Sequence, residues 1–207
     1  MIYAELLNRY QIISDQIDRA GLTVVLRELN GVLEKGIDGD VAEFGCYSGT
    51  TSLFVRRLLD RQPAESARRR FYVYDSFAGL PAKTAPDAST VGEAFQAGQL
   101  GVSKREFLQN FHKAGLRPPI TQKGWFKNLA KSQLPNKIAF SFLDGDFYQS
   151  IIDSLNLVWP RLSPGGTVVI DDYQREALPG VTKAVHDFFG GSPAGLRHEH
   201  NQAIIKK

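Results

Sequence analysis

Val41-Ala42-Glu43-Phe44-Gly45-Cys46-Tyr47-Ser48-Gly49-Thr50-Thr51 opens as an apolar, strand-like run and stops abruptly in glycines and hydroxyl residues. Two later stretches do the same: Phe140-Ser141-Phe142-Leu143 ends in Asp144-Gly145-Asp146, and Val168-Val169-Ile170 ends in Asp171-Asp172. In an open parallel sheet the carboxyl ends of the strands face the ligand crevice, so groups delivered there read as a site. Packing alone does not explain three buried-looking strands that end in acids or a glycine turn along one edge.

Outward from these runs, strand and helix alternate. Residues 2–35 carry Leu6, Leu7, Tyr10, Ile13 and Ile17, then Leu22, Val25, Leu26, Leu29 and Leu33, at helical spacing. This predicts two helices parted at Gly21, with Gly31 and Gly36 marking the exit into a first strand over 40–45. The helix after the glycine turn opens at Thr50-Thr51-Ser52, whose hydroxyls suit an N-cap. A second strand, Phe71–Tyr74, ends at Asp75. The glycine- and proline-rich stretch 77–103 is too long for a plain connection and reads as a substrate-side lid. A helix over 103–114, strands at 120–122 and 138–143, a helix at 149–159, a strand at 167–171 and a helix at 179–189 continue the alternation. The tail 196–205 reads as a closing antiparallel hairpin. The fold class is therefore α/β, a mostly parallel seven-stranded sheet with helices on both faces. Residues 1–207 read as a single domain, with 1–36 as an N-terminal helical cap.

Composition narrows the function. The chain has 207 residues, 43% hydrophobic and 23% charged, which suits one globular domain and argues against extended disorder. A net charge of +3 is spread thinly. Its densest run, Arg68-Arg69-Arg70, lacks interleaved aromatic residues and reads as a solvated loop, so no nucleic-acid partner is expected. Cys46 is the one cysteine, which excludes an intramolecular disulfide and a thiolate metal cluster. Met1–Glu5 has no charged lead-in before an apolar run, and nothing approaches the roughly 18 apolar residues of a membrane span. A cytoplasmic protein without a membrane partner is the expectation.

The strand ends supply the chemistry. In Glu43-x-Gly45-x-x-x-Gly49 the glycines let backbone pass close beneath a ligand, and the following helix offers free N–H groups to an anion. A methionine carboxylate or a phosphate would suit it. The third glycine of the dinucleotide fingerprint is missing, which favours S-adenosylmethionine over NAD. Asp75 stands where a carboxylate accepts ribose hydroxyls, or alternatively caps a turn through Asp75-Ser76. Gly124-Trp125-Phe126 follows the third strand, where an aromatic face could cover an adenine or simply fill the core. Asp144, Asp146, Asp171 and Asp172 gather oxygen ligands with no thiolate, the donor set of Mg²⁺ or Ca²⁺. Unneutralised, such acids would raise one another's pKa.

Taken in order from about 40 to 190, six segments resemble the macrocin and mycinamicin O-methyltransferase family. They are the glycine turn, Tyr74-Asp75-Ser76-Phe77-Ala78-Gly79-Leu80-Pro81, Gly124-Trp125-Phe126, Leu143-Asp144-Gly145-Asp146-Phe147-Tyr148-Gln149-Ser150, Leu162-Ser163-Pro164-Gly165-Gly166 and Ile170-Asp171-Asp172-Tyr173. The resemblance implies a Rossmann-like class I methyltransferase fold, S-adenosylmethionine and Mg²⁺ as cofactors, and a small-molecule hydroxylated substrate, a sugar or natural product. It places Asp144, Asp171 and Asp172 on the metal. It places Glu43, Gly45, Cys46, Ser48, Gly49, Thr50, Asp75, Ser76, Phe77, Gly124, Trp125 and Asp144 around the cofactor. It leaves a homo-oligomer open.

Two departures concern the base. Macrolide-sugar members carry a histidine in the lid where an ungapped carry-over puts Ala94, beside Glu93. Distant relatives of that family, the catechol O-methyltransferases, carry a lysine three residues past the first metal aspartate, where Phe147 stands. No general base is identified, and Glu93 and Asp146 are the carboxylate candidates. The chain is also shorter at its N-terminus than larger relatives, in which that region helps build the substrate pocket. The reading is a Mg²⁺-dependent O-methyltransferase. Its rivals are a non-catalytic S-adenosylmethionine-binding module and a dinucleotide-dependent oxidoreductase.

Overall fold

The computed structural model describes residues 1–91 and 95–207. Its strands are β1 (Asp40–Phe44), β2 (Phe71–Asp75), β3 (Ile120–Lys123), β4 (Ile138–Leu143), β5 (Leu162–Ile170), β6 (Arg197–Glu199) and β7 (Gln202–Lys206). Among the described residues they form one sheet in the order β3-β2-β1-β4-β5-β7-β6. The first five run parallel, and β7 lies antiparallel to both β5 and β6. The helices are α1 (Ile2–Arg9), α2 (Arg19–Glu34), α3 (Thr50–Asp60), α4 (Pro63–Arg68), α5 (Lys104–Lys113), α6 (Tyr148–Val158) and α7 (Pro179–Phe189).

Strand alternation sends successive side chains to opposite faces and so builds two cores. On one face Val41, Val73, Phe140, Phe142 and Val169 pack against apolar residues of α2, α3 and α5. On the other, Ala42, Phe44, Tyr74, Leu143, Val168 and Ile170 meet Ile151 and Leu155 of α6 and Val181 and Val185 of α7. β4 is buried along its whole length, as a central parallel strand with helices on both sides must be. Each large apolar side chain so buried contributes about 1.5–3 kcal/mol.

This register fixes where the acids emerge. Phe44 pairs with Leu143, and Leu143 with Ile170. The ladder then runs one residue further, with Asp144 N–H donating to the Phe44 carbonyl at 2.8 Å and Asp171 N–H to the Leu143 carbonyl at 2.9 Å. The three loops therefore leave the sheet at one level.

Several local expectations need correction. Helix α1 stops at Arg9, and residues 10–18 are irregular, so Ile13 is exposed while Ile17 is buried. The second helix begins not after Gly21 but at Arg19, because the Asp18 carboxylate caps it by accepting from Gly21 N–H at 2.8 Å. Gly31 lies inside α2, and Gly36, at φ +62°, marks the exit alone. Helix α2 packs on β4 and β5 as one of the flanking helices of the sheet. Helix α3 is capped by Gly49 and not by a hydroxyl. The Thr50 and Ser52 hydroxyls are spent on Ser14 and Glu43 instead. Helix α4 was invisible as a periodic segment. It is started by Pro63, whose fixed φ suits a first helical position. The arginine run is not simply a solvated loop: Arg69 is buried, with Nε on the Glu65 carboxylate and Nη1 on the Gly39 carbonyl, both at 2.5 Å. β5 starts at Leu162, five residues earlier than its apolar core suggests. Among the described residues no helix is long and apolar enough to cross a membrane.

Candidate active site

A cavity of about 370 Å³ opens at the carboxyl ends of β1, β2, β4 and β5. Gly45, Cys46, Asp75 and Ser76 line it on one side, and Asp144, Asp146 and Asp172 line it on another. Lid residues Gly79, Leu80, Thr84, Asp87 and Leu100 complete the wall. Glu43, Ser48, Gly49, Thr50, Phe77, Gly124 and Asp171 do not line it.

The two glycines of the turn have separate causes. Gly45 sits at φ +87°, and a Cβ there would stand 1.8 Å from the Asp144 carbonyl oxygen, so the end of β4 forbids a side chain. Gly49 sits at φ +92°, and its Cβ would meet the Phe107 ring at 2.9 Å. Packing of α5, not only ligand approach, demands the second glycine. Behind the turn Glu43 is buried and accepts from the Ser52 hydroxyl at 2.5 Å. Burial raises its carboxyl to about 8, and the nearby Asp75 charge adds to the effect. Cys46 is buried, and burial pushes its thiol well above the ordinary range, which suits a packing role.

Asp75 ties the turn to β2. Its Oδ2 accepts the Cys46 N–H at 2.8 Å and its Oδ1 accepts the Phe77 N–H at 2.7 Å. It is a turn cap, and each oxygen still keeps a lone pair for a second donor. Ser76 accepts from Ala78 N–H and donates to the Gly79 carbonyl, both at 3.1 Å, which shapes the start of the lid. Phe77 packs on Phe107 with ring centroids 5.8 Å apart. Trp125 is 36% exposed and lines the cavity. Its neighbour Phe126 takes the core position instead, edge-on to Phe44 at 5.4 Å.

Asp144, Asp171 and Asp172 each bring a carboxylate oxygen within 4.8 Å of the others. Gln202 Nε2 donates to Asp171 Oδ1 at 2.8 Å, and Arg175 Nη1 donates to Asp172 Oδ1 at 2.6 Å. Asp146 and Asp172 hold left-handed backbones at φ +59° and +56°, a strained conformation for non-glycine residues that clusters at functional sites. Burial, then neighbouring acids, push Asp144 and Asp146 well above the usual carboxylate range. Burial and Asp172 raise Asp171 to about 7. Burial raises Asp172 as well, opposed by its bond to Arg175.

Glu93, with Ala94, lies outside the described residues. Phe147 is buried and forms the N-cap of α6. Sequence reasoning missed Arg175, Gln202 and Asp87. Arg175 was findable as a cation three residues past Asp172. Asp87 was findable through Thr84-Ala85-Pro86-Asp87, the spacing of a capping box. Gln202, remote in sequence on β7, left no signal.

Residues 15–192 match the family model described as Macrocin-O-methyltransferase (TylF). The chain belongs to this family. A curated relative is 8-demethyl-8-(2,3-dimethoxy-alpha-L-rhamnosyl)-tetracenomycin-C 4'-O-methyltransferase of Streptomyces olivaceus. It is 38% identical over 165 residues, 77% of this chain and 61% of its own length. Mycinamicin III 3''-O-methyltransferase of Micromonospora griseorubida is 32% identical over 167 residues, 77% of this chain and 64% of its own length. The chain thus spans less than two thirds of the length of these relatives. Among solved structures, the O-methyltransferase NovP superposes with a TM-score of 0.76 at 25% identity, covering 90% of this chain and 78% of that one. The calicheamicin methyltransferase CalS11 superposes at 0.73 and 20% identity, over 99% and 89%, a likeness of fold. The sheet order with its terminal antiparallel hairpin is that of class I S-adenosylmethionine-dependent methyltransferases.

Proposed function

We propose that this member of the macrocin O-methyltransferase family transfers a methyl group from S-adenosylmethionine to a hydroxyl of a sugar or other natural product, with Mg²⁺ held by Asp144, Asp171 and Asp172. The observation that carries the reading is the meeting of two half-sites in one cavity. The glycine turn and Asp75 form one, and Asp144, Asp146 and Asp172 form the other, with Asp171 beside them. The acceptor class follows the relatives, which are named for a rhamnosyl tetracenomycin and for mycinamicin III.

The residues fit the cofactor. Gly45 keeps the turn free of a side chain, and the Ser48 hydroxyl, buried in the same turn though outside the cavity lining, has no hydrogen-bond partner and remains a donor for the methionine end of the cofactor. The spare lone pairs of Asp75 suit the two ribose hydroxyls, and Trp125 offers its face to the adenine. Glu43, Gly49, Thr50, Phe77 and Gly124 support this cradle from outside the cavity wall. The acids fit a hard dication by their oxygen donors and their spacing. Burial first, and for Asp144, Asp146 and Asp171 the neighbouring acids after it, raises their carboxyls, and a bound cation would favour their charged forms.

When bound, the cation would supply the Lewis acidity that eases loss of the acceptor proton. The chain's own residues position and shield. Arg175 and Gln202 each hold one carboxylate in place through one of its oxygens and leave the other oxygen without that bond. The lid residues on the cavity wall exclude water from the transfer. Bound S-adenosylmethionine would supply the methyl group, and the proton given up by the acceptor hydroxyl would need a base. Asp146, a carboxylate on the cavity wall beside the acids proposed for the metal, is one candidate, and Glu93 is the other. A dinucleotide-dependent oxidoreductase does not accord with this family, and no observation favours a purely binding module. The use of S-adenosylmethionine, with the lone reduced thiol, is proposed to go with a cytoplasmic setting.

Calorimetry with S-adenosylmethionine and with NAD, each with and without Mg²⁺, tests the reading. It expects binding of the first alone. Binding of NAD alone would overturn it.

A further inference from the structure

We infer that Asp87 is a positioning residue that locks the lid onto the starts of α6 and α7 and thereby fixes the acceptor side of the cavity. The functional part of this inference rests on the proposed methyl transfer; the lock itself stands on geometry. Asp87 ends a 3₁₀ turn, Ala85–Asp87, in the middle of the lid, yet it is only 2% exposed. Its two oxygens have divided tasks. Oδ2 stays within the lid, accepting from Thr84 N–H at 2.9 Å and the Thr84 hydroxyl at 2.6 Å. Oδ1 leaves the lid and accepts the backbone N–H of Tyr148, 61 residues away, at 2.7 Å.

That bond fills a vacancy in α6. The N-cap residue of α6, Phe147, is apolar and makes no side-chain cap. One of the N–H groups that every helix start leaves unpaired is therefore satisfied from outside, by the lid. The second helix makes room for the same oxygen. A Cβ on Gly180, in the first turn of α7, would stand 2.0 Å from Asp87 Oδ1 and 3.1 Å from its Cγ. Two helix starts thus converge on one buried carboxylate, whose charge suits the positive ends of both dipoles. Nearby the lid is tied again, with the Ser89 hydroxyl donating to the Glu176 carbonyl at 2.8 Å. At the neck of the lid, Leu80 N–H meets the Gln99 carbonyl and Gly98 N–H meets the Leu80 carbonyl, at 2.8 and 2.9 Å.

The consequence is selective. Helix α6 begins two residues after Asp146, so the lock that seats Thr84–Ser89 also holds the end of the 144–147 segment. The cofactor side is held by a different set of bonds, those of Asp75 to Cys46 and Phe77. Loss of Asp87 should loosen the acceptor wall and spare the cofactor wall.

Amide hydrogen exchange on the whole chain, with Asp87→Ala, Asp87→Asn, Gly180→Ala and the double variant Asp87→Ala/Gly180→Ala, tests this directly. In Asp87→Ala the Tyr148 amide and residues 84–91 should exchange at least about tenfold faster, as the loss of one charged hydrogen bond implies. Gly180→Ala should do the same by expelling Asp87, although Ala is the better helix former. Asn retains an acceptor and should rescue most of the protection. The double variant should exchange no faster than Asp87→Ala, since both changes break one contact. S-adenosylmethionine affinity should stay within about twofold of the parent, while the KM of an acceptor rises more than kcat falls. Unchanged protection at Tyr148, or additive effects in the double variant, would overturn the lock. If Asp87→Ala fails to fold, Gly180→Ala carries the same test. Absence of S-adenosylmethionine binding by the parent would instead sink the proposed function and leave the exchange result standing.

Discussion

The Asp75 carboxylate is bonded to the backbone N–H of Cys46 at 2.8 Å, so the end of β2 holds the glycine turn that ends β1. A residue read from sequence as a ribose ligand thus also shapes the turn beside it. Replacing it should act twice. Asp75→Ala should weaken S-adenosylmethionine binding by about 1.5–3 kcal/mol, the scale of hydrogen bonds to a charged group, and Asp75→Asn by less. Calorimetry decides the matter, and equal affinity in Asp75→Ala and parent would remove Asp75 from the cofactor site.

The glycines of the turn should fail for different reasons. Gly45→Ala drives a methyl group into the Asp144 backbone and forces Ala to φ +87°, so it should cost more than about 2 kcal/mol of stability. Gly49→Val clashes with Phe107 of α5 and should destabilise the apo protein as well. Urea unfolding without ligand separates these effects from cofactor binding. A Gly49→Val variant as stable as the parent but unable to bind S-adenosylmethionine would show that its role is ligand approach alone.

Glu43 makes stability depend on pH. Burial raises its folded-state pKa to about 8, well above the ordinary 4.5 of the unfolded chain. A raised carboxyl favours the folded state fully below the unfolded pKa, and this contribution is lost as pH rises from about 4.5 to about 8. The loss is on the order of a few kcal/mol. Glu43→Gln keeps the shape without the titration, so relative to the parent it should gain stability between about pH 5 and pH 8.5. Unfolding free energies of the apo proteins at the two pH values check this. The same difference at both would contradict the assignment.

The sequence was most readable where one periodicity ruled. β4 was legible because all six of its residues are buried, and α7 because its apolar stripe is uninterrupted. Asp144, Asp171 and Asp172 were legible because strand ends in a parallel sheet share one edge. Elsewhere a local signal lost to a longer-range one. Gly21 looked like a helix break, but the Asp18 cap placed it in the first turn of α2. Thr50 and Ser52 looked like caps, but Ser14 and Glu43 claimed their hydroxyls. The Asp87 lock and the Gln202 bond to Asp171 join residues distant in the chain, which no local pattern announces.

The metal reading assigns unequal weights to four acids. Asp144→Asn and Asp171→Asn should each lower Mg²⁺ affinity by about tenfold or more, because an amide oxygen holds a hard dication less well than a carboxylate. Asp172→Asn should be milder, since Asp172 already shares its charge with Arg175 at 2.6 Å. Asp146→Asn should leave Mg²⁺ affinity nearly unchanged while lowering turnover. Mn²⁺ titration followed by electron paramagnetic resonance gives the affinities without an acceptor. A loss of affinity in Asp146→Asn equal to that in Asp144→Asn would redraw the ligand set.

S-adenosylhomocysteine release in the presence of sugar-bearing natural products, measured after exhaustive chelation and again after Mg²⁺ is restored, tests the central claim most directly. The account predicts acceptor-dependent release that disappears on chelation and returns with Mg²⁺. Full release by the chelated protein would contradict it, and Asp144, Asp171 and Asp172 would then have to serve cofactor binding or proton transfer instead.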